Sequence, residues 1–222
     1  MRYLAKISYD GSKYKGYQKQ PNTKTIQGEL ERVLNVINHT FVNVHGSGRT
    51  DAGVHAFGQM IHFDLIVDMN EKEVKKAMNS LLSPDIYVRA VTIVNDDFHA
   101  RFDVRKKEYI YQLNMGEYDP IQKDYVYQYN QELDVKAINK AMMYLKGEHN
   151  FRSFTKVDEE KESYVRNIYE AKIQKDGNFL IFTFIGNGFM RYMVRNLVGT
   201  LIEVGEGKRK PQEIDEILKA ED

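Results

Sequence analysis

Along the first half of the chain, the spacing of hydrophobic residues switches repeatedly between that of a strand and that of a helix. The order of elements that this predicts limits the possible folds more than any other property of the sequence. Residues from Tyr3 to Tyr9 alternate at the period of a strand. The apolar residues after Thr25 recur at helical spacing, and Thr25 is placed as the helix N-cap. The predicted elements are a strand at 3–9, a helix at 26–37, strands at 41–45 and 59–65, a helix after Asn70 and a strand at 86–94. This order is that of a ferredoxin-like half.

The second half begins in the same way but ends differently. Its predicted elements are strands at 107–114 and 124–128, a helix capped by Asp134, a hairpin of strands at 164–174 and 179–185, a helix at 189–204 and a short helix after Pro211. No strand follows Lys219, so this half is expected to lack a closing strand. The boundary is expected near residues 95–106, which gives halves of 1–100 and 101–222.

Composition restricts the class of protein and its compartment. The 222 residues include no cysteine, which excludes disulfides and zinc sites built from cysteine. The apolar run at 179–185 is much shorter than a bilayer span, and the N-terminus lacks the apolar core of a signal peptide. We therefore expect a soluble protein of the reducing cytoplasm that has no membrane partner.

Basic residues cluster in three short stretches although the formal net charge is zero. Residues 1–19 hold five lysines and arginines against one acid, and residues 101–107 hold four against one. Arg191 and Arg195 lie in a third stretch, 186–202, that contains no acid. Zero net charge argues weakly against nucleic acid, whereas a basic face would attract it. From these residues alone, a basic face and ordinary solvated surfaces are equally good interpretations.

The eleven residues GSGRTDAGVHA, from Gly46 to Ala56, form the most informative motif. One carboxylate, Asp51, lies between Arg49 and Gly53. Glycines permit tight turns and close approach of a ligand, and Arg49 can hold a phosphate or an ionised acid. Aspartate also forms turns through hydrogen bonds to its own backbone. On spacing alone, the motif is compatible with a structural turn and with a catalytic carboxylate.

Four segments of the chain together resemble one enzyme family. They are residues 9–18 (YDGSKYKGYQ), 46–56 (GSGRTDAGVHA), 98–111 (FHARFDVRKKEYIY) and 186–208 (GNGFMRYMVRNLVGTLIEVGEGK). In order and spacing they resemble the bacterial tRNA pseudouridine synthase A family, over essentially the whole chain as far as Lys208.

The resemblance implies an α/β (α+β) fold, with a mostly antiparallel central sheet built from two pseudo-repeated ferredoxin-like halves. It also implies isomerisation of uridine to pseudouridine at positions 38, 39 and 40 of tRNA, within the anticodon stem-loop. The family acts as a homodimer and uses no cofactor and no metal.

The resemblance also assigns roles to residues. Asp51 would be the nucleophile and Arg195 its ion-pair partner, because a guanidinium keeps a desolvated carboxylate ionised. Tyr109 would pack against the target base, and Arg49 would hold the flipped-out nucleotide. The other residues expected near the substrate are Gly48, Thr50, Tyr111 (which more simply packs in the core) and the phosphate contacts Lys13, Lys15, Arg101, Lys106 and Lys107. Since these residues come from both halves, the active site is expected where the halves meet.

Two other classes of function fit parts of the pattern. A non-catalytic RNA-binding module could use the same paired sheets, although it would have no use for a nucleophilic carboxylate. A nucleotide-hydrolysing enzyme could use the glycine-rich loop as a phosphate cradle, but the loop lacks the Lys-Ser/Thr ending of such cradles. His55 and His62 lack cysteine or clustered carboxylate neighbours, so no metal site is predicted. His99 receives no role from the sequence.

Overall fold

The structure, a computed structural model, describes residues 1–156 and 163–222. These residues form nine strands and five α-helices. They divide into two compact units, Met1–Val104 (unit 1) and Arg105–Asp222 (unit 2). No helix found in the described ranges has both the length and the apolar character that a bilayer-spanning segment requires.

Unit 1 is a four-stranded antiparallel sheet with two helices. Its elements are β1 (Arg2–Tyr9), α1 (Ile26–Asn38), β2 (His45–Gly46), β3 (Ala56–Asp64), α2 (Glu71–Leu81) and β4 (Ile86–Val94). The strands lie in the order β2-β3-β1-β4, and every neighbouring pair is antiparallel. The order of elements predicted for the first half is therefore confirmed.

The helices of unit 1 begin where the sequence indicates. Oγ1 of Thr25 accepts a hydrogen bond from the amide of Gly28 at 3.2 Å. Oδ1 of Asn70 accepts from the amides of Lys72 and Glu73, each at 3.1 Å, and the Glu73 carboxylate accepts from the Asn70 amide at 2.8 Å. Caps of this kind typically contribute about 1 kcal/mol. They fix the start of each helix against the sheet.

The strand predicted at 41–45 is mostly wrong, because β2 begins only at the last residue of that range. Side chains of α1 occupy backbone groups that a sheet partner would otherwise bind. Oδ1 of Asn35 accepts from the amide of Val42 at 2.7 Å, and Oε1 of Glu31 accepts from the amide of Val44 at 3.4 Å. Since these amides are satisfied by side chains, the segment needs no ladder partner.

Unit 2 is a five-stranded sheet with three α-helices and a short 3-10 helix. Its elements are β5 (Lys107–Asn114), β6 (Tyr127–Gln128), α3 (Val135–Met143), β7 (Gly147–Asn150), the 3-10 helix (Arg152–Phe154), β8 (Val165–Asp176), β9 (Phe179–Gly186), α4 (Met193–Gly205) and α5 (Glu213–Ala220). The strand order is β6-β5-β9-β8-β7. All pairs are antiparallel except β5 with β6, which are parallel over two residues. The mostly antiparallel α/β fold is confirmed.

Three details of unit 2 differ from the sequence prediction. The strand predicted at 124–128 contains only β6, because the two amides before β6 donate to the carbonyl of Gln122 in a turn. The helix predicted from Phe189 begins instead at Met193, after a left-handed residue at Tyr192. Strand β7 was not predicted, since its sequence GEHN contains no apolar alternation.

Each unit has its own hydrophobic core. In unit 1, Ala5 and Ile7 of β1 are fully buried with Leu30 of α1. In unit 2, Phe182 of β9 is fully buried with Leu201 of α4. The alternating strand positions and the helical stripes that the sequence predicts as core are thus the residues that pack together.

Candidate active site

The loop that carries Asp51 connects β2 to β3 in unit 1. Gly46 ends β2 and Ala56 begins β3. At its start, the Ser47 amide donates to the carbonyl of Met60 at 2.8 Å, which extends the sheet pairing by one bond. Asp51 itself is half-buried. The sheet therefore anchors both ends of the loop.

The first of the four motif segments packs against this loop. The amide of Tyr17 donates to the carbonyl of Thr50 at 3.0 Å, and the amide of Gly53 donates to the carbonyl of Tyr14 at 3.3 Å. Thr50 and Gly53 lie on either side of Asp51. These two bonds therefore fix the main chain before and after the carboxylate.

Two glycines of segment 9–18 permit this close approach. A Cβ atom on Gly11 would lie 2.0 Å from the carbonyl oxygen of Val54. Gly16 has a φ of +94°, and a Cβ atom there would lie 2.9 Å from the carbonyl oxygen of Thr50. Only glycine fits at these positions without moving the Asp51 loop.

Side chains that the sequence did not single out also hold the loop. The hydroxyl oxygens of Tyr9 and Thr50 are 2.9 Å apart. On β3, Oε1 of Gln59 accepts from the Ser47 hydroxyl at 3.0 Å, and Nε2 of Gln59 donates to the carbonyl of Gly48 at 2.5 Å. Gly48 and Thr50, expected near the substrate, are thus engaged in maintaining the shape of the loop.

His55 joins the end of the loop to segment 9–18. Its Nδ1 lies 3.2 Å from the amide nitrogen of Gly11 and 3.1 Å from Oδ1 of Asp10. The Asp10 carboxylate also accepts from the amide and hydroxyl of Ser12 at 2.9 and 2.7 Å. These contacts show that His55 connects the loop to segment 9–18.

An open pocket of about 330 Å³ lies beside the loop. It is lined by Ser12, Lys13, Tyr14, Lys15, Ala52 and Gly53. The Lys13 side chain is 71% exposed, and its Nζ lies 3.5 Å from Oδ1 of Asp85. The Asp85 side chain is only 17% exposed, but the lysine end of the pair faces solvent, so Lys13 is still able to bind an anion. Arg49, in the same loop, is exposed as well.

Arg101 lies beside a cluster of three histidines that the sequence did not predict. The ligating nitrogens of His45, His62 and His99 all lie within 4.8 Å of one another. The rings of His45 and His62 stack at 4.8 Å, and the His99 ring meets His62 edge-on at 4.6 Å. Burial, and then the neighbouring histidines and Arg2, lower the pKa of His62 to about 4. This imidazole is therefore neutral at physiological pH.

The hydrogen bonds of this cluster do not suit a metal ion. Nδ1 of His62 accepts from the amide of Ala100 at 3.1 Å, and Nδ1 of His99 accepts from the amide of Arg101 at 3.2 Å. A neutral imidazole that accepts at Nδ1 carries its proton on Nε2, so neither nitrogen offers a lone pair to a metal. In metal sites the second nitrogen donates to an oxygen instead. In this arrangement the cluster holds the segment that follows β4.

The two tyrosines of β5 lie on the same face of the strand. Tyr109 is half-buried, and its ring meets that of Phe189 edge-to-face at 4.9 Å. Tyr111 packs against the core of unit 2, and burial is the main cause that raises the pKa of its hydroxyl. Arg195 lies near enough to oppose that rise in pKa. Tyr111 is thus partly buried against that core, and the contact with substrate expected of it stays a prediction.

Arg195 lies in the first turn of α4, and its side chain is exposed. Its guanidinium carbon is 5.3 Å from the centroid of the Tyr192 ring. The opposite side of the helix is buried through Leu197 and Leu201. The core of unit 2 thus fixes the helix, and Arg195 extends from its open side.

Two further predicted contacts lie at the start of β5. Nζ of Lys106 is 5.5 Å from the centroid of the Tyr169 ring. Lys107 is the first residue of β5 and pairs with Gly186. The chain therefore presents its predicted groups in two sets. Unit 1 holds Asp51, Arg49, Lys13, Lys15 and Arg101; unit 2 holds Tyr109, Arg195, Lys106 and Lys107. A single active site formed from both sets stays a prediction.

Comparison with known proteins identifies relatives along nearly the whole chain. The family described as tRNA pseudouridine synthase matches residues 5–103 and 141–222. A tRNA pseudouridine synthase A of Anoxybacillus flavithermus is 46% identical over 219 residues, covering 98% of this chain and 89% of the relative. Proteins of the same name from Geobacillus kaustophilus and Streptococcus agalactiae are 44% and 42% identical. They cover 97% and 99% of this chain, and the matches span 84% and 86% of the relatives.

Proposed function

The chain belongs to the tRNA pseudouridine synthase family, and we propose that it isomerises uridine to pseudouridine in tRNA. The loop around Asp51 is the observation that carries the proposal. Main-chain hydrogen bonds to Thr50 and from Gly53 hold a half-buried carboxylate in place, and two lysines line the pocket beside it. A structural turn alone would not require the loop that carries the carboxylate to border a pocket lined by two lysines.

The reaction sets clear chemical demands. The N1–C1′ bond of uridine breaks, a C5–C1′ bond forms, C5 loses a proton and N1 gains one. The product is an isomer, so no oxidant, phosphate donor or other co-substrate is consumed. We assign Asp51 as the nucleophile. Attack at C1′ and attack at C6 both require this carboxylate to be ionised and held next to the nucleotide.

Unit 2 supplies the second set of groups in this proposal. We assign Arg195 to pair with Asp51, because a guanidinium keeps a neighbouring carboxylate ionised when water is excluded. Tyr109 packs against the target base, an interaction worth about 1–3 kcal/mol for a stacked aromatic ring. The exposure of Arg195 and the partial exposure of Tyr109 support these roles, since neither residue is part of the buried core.

The proposed substrate is the anticodon stem-loop of tRNA, with uridines 38, 39 and 40 as targets. Each must leave its stack before the carboxylate can reach it, and Arg49 holds the extruded nucleotide. Neighbouring phosphates bind the basic residues Lys13, Lys15, Arg101, Lys106 and Lys107. Binding should therefore weaken steeply with salt. We further propose that the enzyme acts as a homodimer in the cytoplasm without a cofactor.

Tritium release from tRNA labelled at C5 of uridine tests the proposal, because pseudouridine formation is what frees that proton. We expect release by the wild-type chain and none above background by Asp51→Asn. Asp68→Asn, which changes an exposed acid of unit 1, is the matched control and should keep full activity. Wild-type protein that binds tRNA without releasing tritium would instead be an RNA-binding module. Labelled tRNAs with one target uridine each report the positional preference.

A further inference from the structure

We propose that Tyr192 is a positioning residue for Arg195, and that its backbone conformation is maintained for this purpose. The proposal rests on the role assigned above to Arg195. It concerns the residue that immediately precedes α4, and three observations support it: the conformation of Tyr192, its anchoring and its ring contacts.

The conformation of Tyr192 goes against the local preference of its residue type. Its φ of 63° and ψ of −1° lie in the left-handed region, and α4 has no side-chain cap there. The other non-glycine residues of the described chain with positive φ are Asn22 and Asn130, together with His39 and Glu221, which follow the ends of helices. A bulky aromatic residue is disfavoured in this region, and such departures concentrate at functional sites.

The chain on both sides of Tyr192 is firmly held. Met190 and Met193 are only 7% and 0% exposed, so both belong to the core of unit 2. Between them, the carbonyl of Arg191 accepts from the hydroxyl of Thr155 at 2.8 Å. These anchors maintain the left-handed turn and fix the direction of the Tyr192 ring.

The ring then contacts two guanidinium groups. The Cζ atoms of Arg191 and Arg195 lie 4.8 and 5.3 Å from its centroid, and Nη2 of Arg191 donates to the Tyr192 hydroxyl at 2.9 Å. An exposed arginine otherwise samples many rotamers, whereas an ion pair with a catalytic carboxylate needs one position. A tyrosine ring restrains the cation without adding a negative charge that would compete with Asp51.

Two substitutions separate the ring from the backbone conformation. Tyr192→Phe keeps the ring and loses only the hydroxyl. Tyr192→Asn removes the ring but favours the left-handed conformation. In single-turnover tritium release, we expect Tyr192→Phe to stay within about twofold of wild type and Tyr192→Asn to be slower by about tenfold. The melting temperature of Tyr192→Asn should equal or exceed that of wild type, so rate and stability change in opposite directions.

A second measurement keeps this proposal separate from the proposed function. Side-chain ¹⁵Nε relaxation reports the order of each arginine in the free protein, whether or not the chain releases tritium. We expect the order parameter of Arg195 to fall in Tyr192→Asn and to be retained in Tyr192→Phe. Arg152, whose guanidinium lies 5.8 Å from the Tyr164 ring, is the internal control and should not change. An unchanged Arg195 in Tyr192→Asn, or equal losses in the two variants, would overturn the positioning role.

Discussion

Each unit carries one main candidate catalytic group, and the two groups are held in different ways. Main-chain hydrogen bonds hold the loop of Asp51 in unit 1, whereas a neighbouring side chain contacts Arg195 in unit 2. Hydrogen bonds from Tyr17 to Thr50 and from Gly53 to Tyr14 fix the Asp51 loop. In unit 2, the Arg195 guanidinium lies 5.3 Å from the centroid of the Tyr192 ring, which we propose restrains its position. The first arrangement should tolerate many side-chain replacements but no added bulk at its glycines. The second should be sensitive to the identity of single side chains.

The largest effect expected is from Arg195→Met, which keeps the length of the side chain and removes its charge. Turnover should fall by about a thousandfold, because the ion pair proposed between Arg195 and Asp51 would lose its cation. Arg191→Met removes the other guanidinium at the same ring and should lose less than about tenfold. Single-turnover tritium release across a pH series measures both. Equal losses would contradict a specific role for Arg195.

Gly11→Ala tests the main-chain support of unit 1. The added methyl group would clash with the carbonyl of Val54, so the loop must move; we expect a loss on the order of 3 kcal/mol in the free energy of unfolding, with reduced activity. The control is Gly199→Ala on α4, where a Cβ atom would meet nothing within 4 Å. It should stabilise the protein by about 0.5–1 kcal/mol. Urea unfolding compares the two, and a tolerated Gly11→Ala would contradict the tight approach.

Acid should weaken unit 1, which contains five of the six histidines. The pKa of His62 is lowered from 6.5 to about 4 by burial and by its cationic and imidazole neighbours. Above pH 6.5 the residue is neutral in both states and does not affect stability. Between pH 6.5 and 4, the unfolded chain binds a proton that the folded chain excludes, so stability falls by roughly 3 kcal/mol.

The matched variant for this pH effect is His62→Gln. Its side-chain oxygen can accept the hydrogen bond from the Ala100 amide, and the side chain does not titrate. Urea unfolding at several pH values should show a smaller decline for the variant than for wild type. Parallel declines would assign the acid sensitivity to other groups, such as His45, whose pKa burial also lowers.

The smallest expected effects on stability concern Tyr9 and Tyr17, two residues that are hydrogen-bonded to the Asp51 loop. The Tyr9 hydroxyl is bonded to Thr50, so Tyr9→Phe should cost about 1 kcal/mol. The Tyr17 hydroxyl is buried without a hydrogen-bond partner in the described residues, so Tyr17→Phe should cost nothing measurable. Its amide, which holds the loop, is unchanged by that substitution. Thermal unfolding ranks the two, and a larger loss in Tyr17→Phe than in Tyr9→Phe would contradict an unbonded Tyr17 hydroxyl.

The elements that could be predicted from sequence are those with a sustained period. The strands at 86–94 and 107–114 have the predicted bounds, because apolar alternation or β-branched content runs through them. The segment 41–45 has a similar composition, but two of its backbone amides donate hydrogen bonds to the side chains of Asn35 and Glu31 of α1 rather than to a neighbouring strand. A hydrophobic pattern indicates burial and does not indicate which groups will take the backbone hydrogen bonds.

The candidate site shows the same limit. The four segments can be found in the sequence, but the bond from Tyr17 to Thr50 uses main-chain groups that every residue other than proline offers, so it leaves no signal. The histidine cluster joins His45, His62 and His99, which are far apart in sequence. The left-handed conformation of Tyr192 could not be predicted from the sequence either, because tyrosine rarely adopts that conformation.

The support of the Asp51 loop continues into the start of α1. The amide of Ile26 donates to the carbonyl of Gly16 at 3.2 Å, and the amide of Gln27 donates to the carbonyl of Tyr17 at 2.9 Å. Segments 9–18 and 46–56, which are separated in sequence by α1, therefore form one structural unit that should be exchanged as a whole. A chimera that took only the glycine-rich loop from a relative would leave it without its matching scaffold. Exchange of residues 9–27 together with 46–56 would transfer the loop, the segment 9–18 that is hydrogen-bonded to it, and the start of α1 that is hydrogen-bonded to that segment.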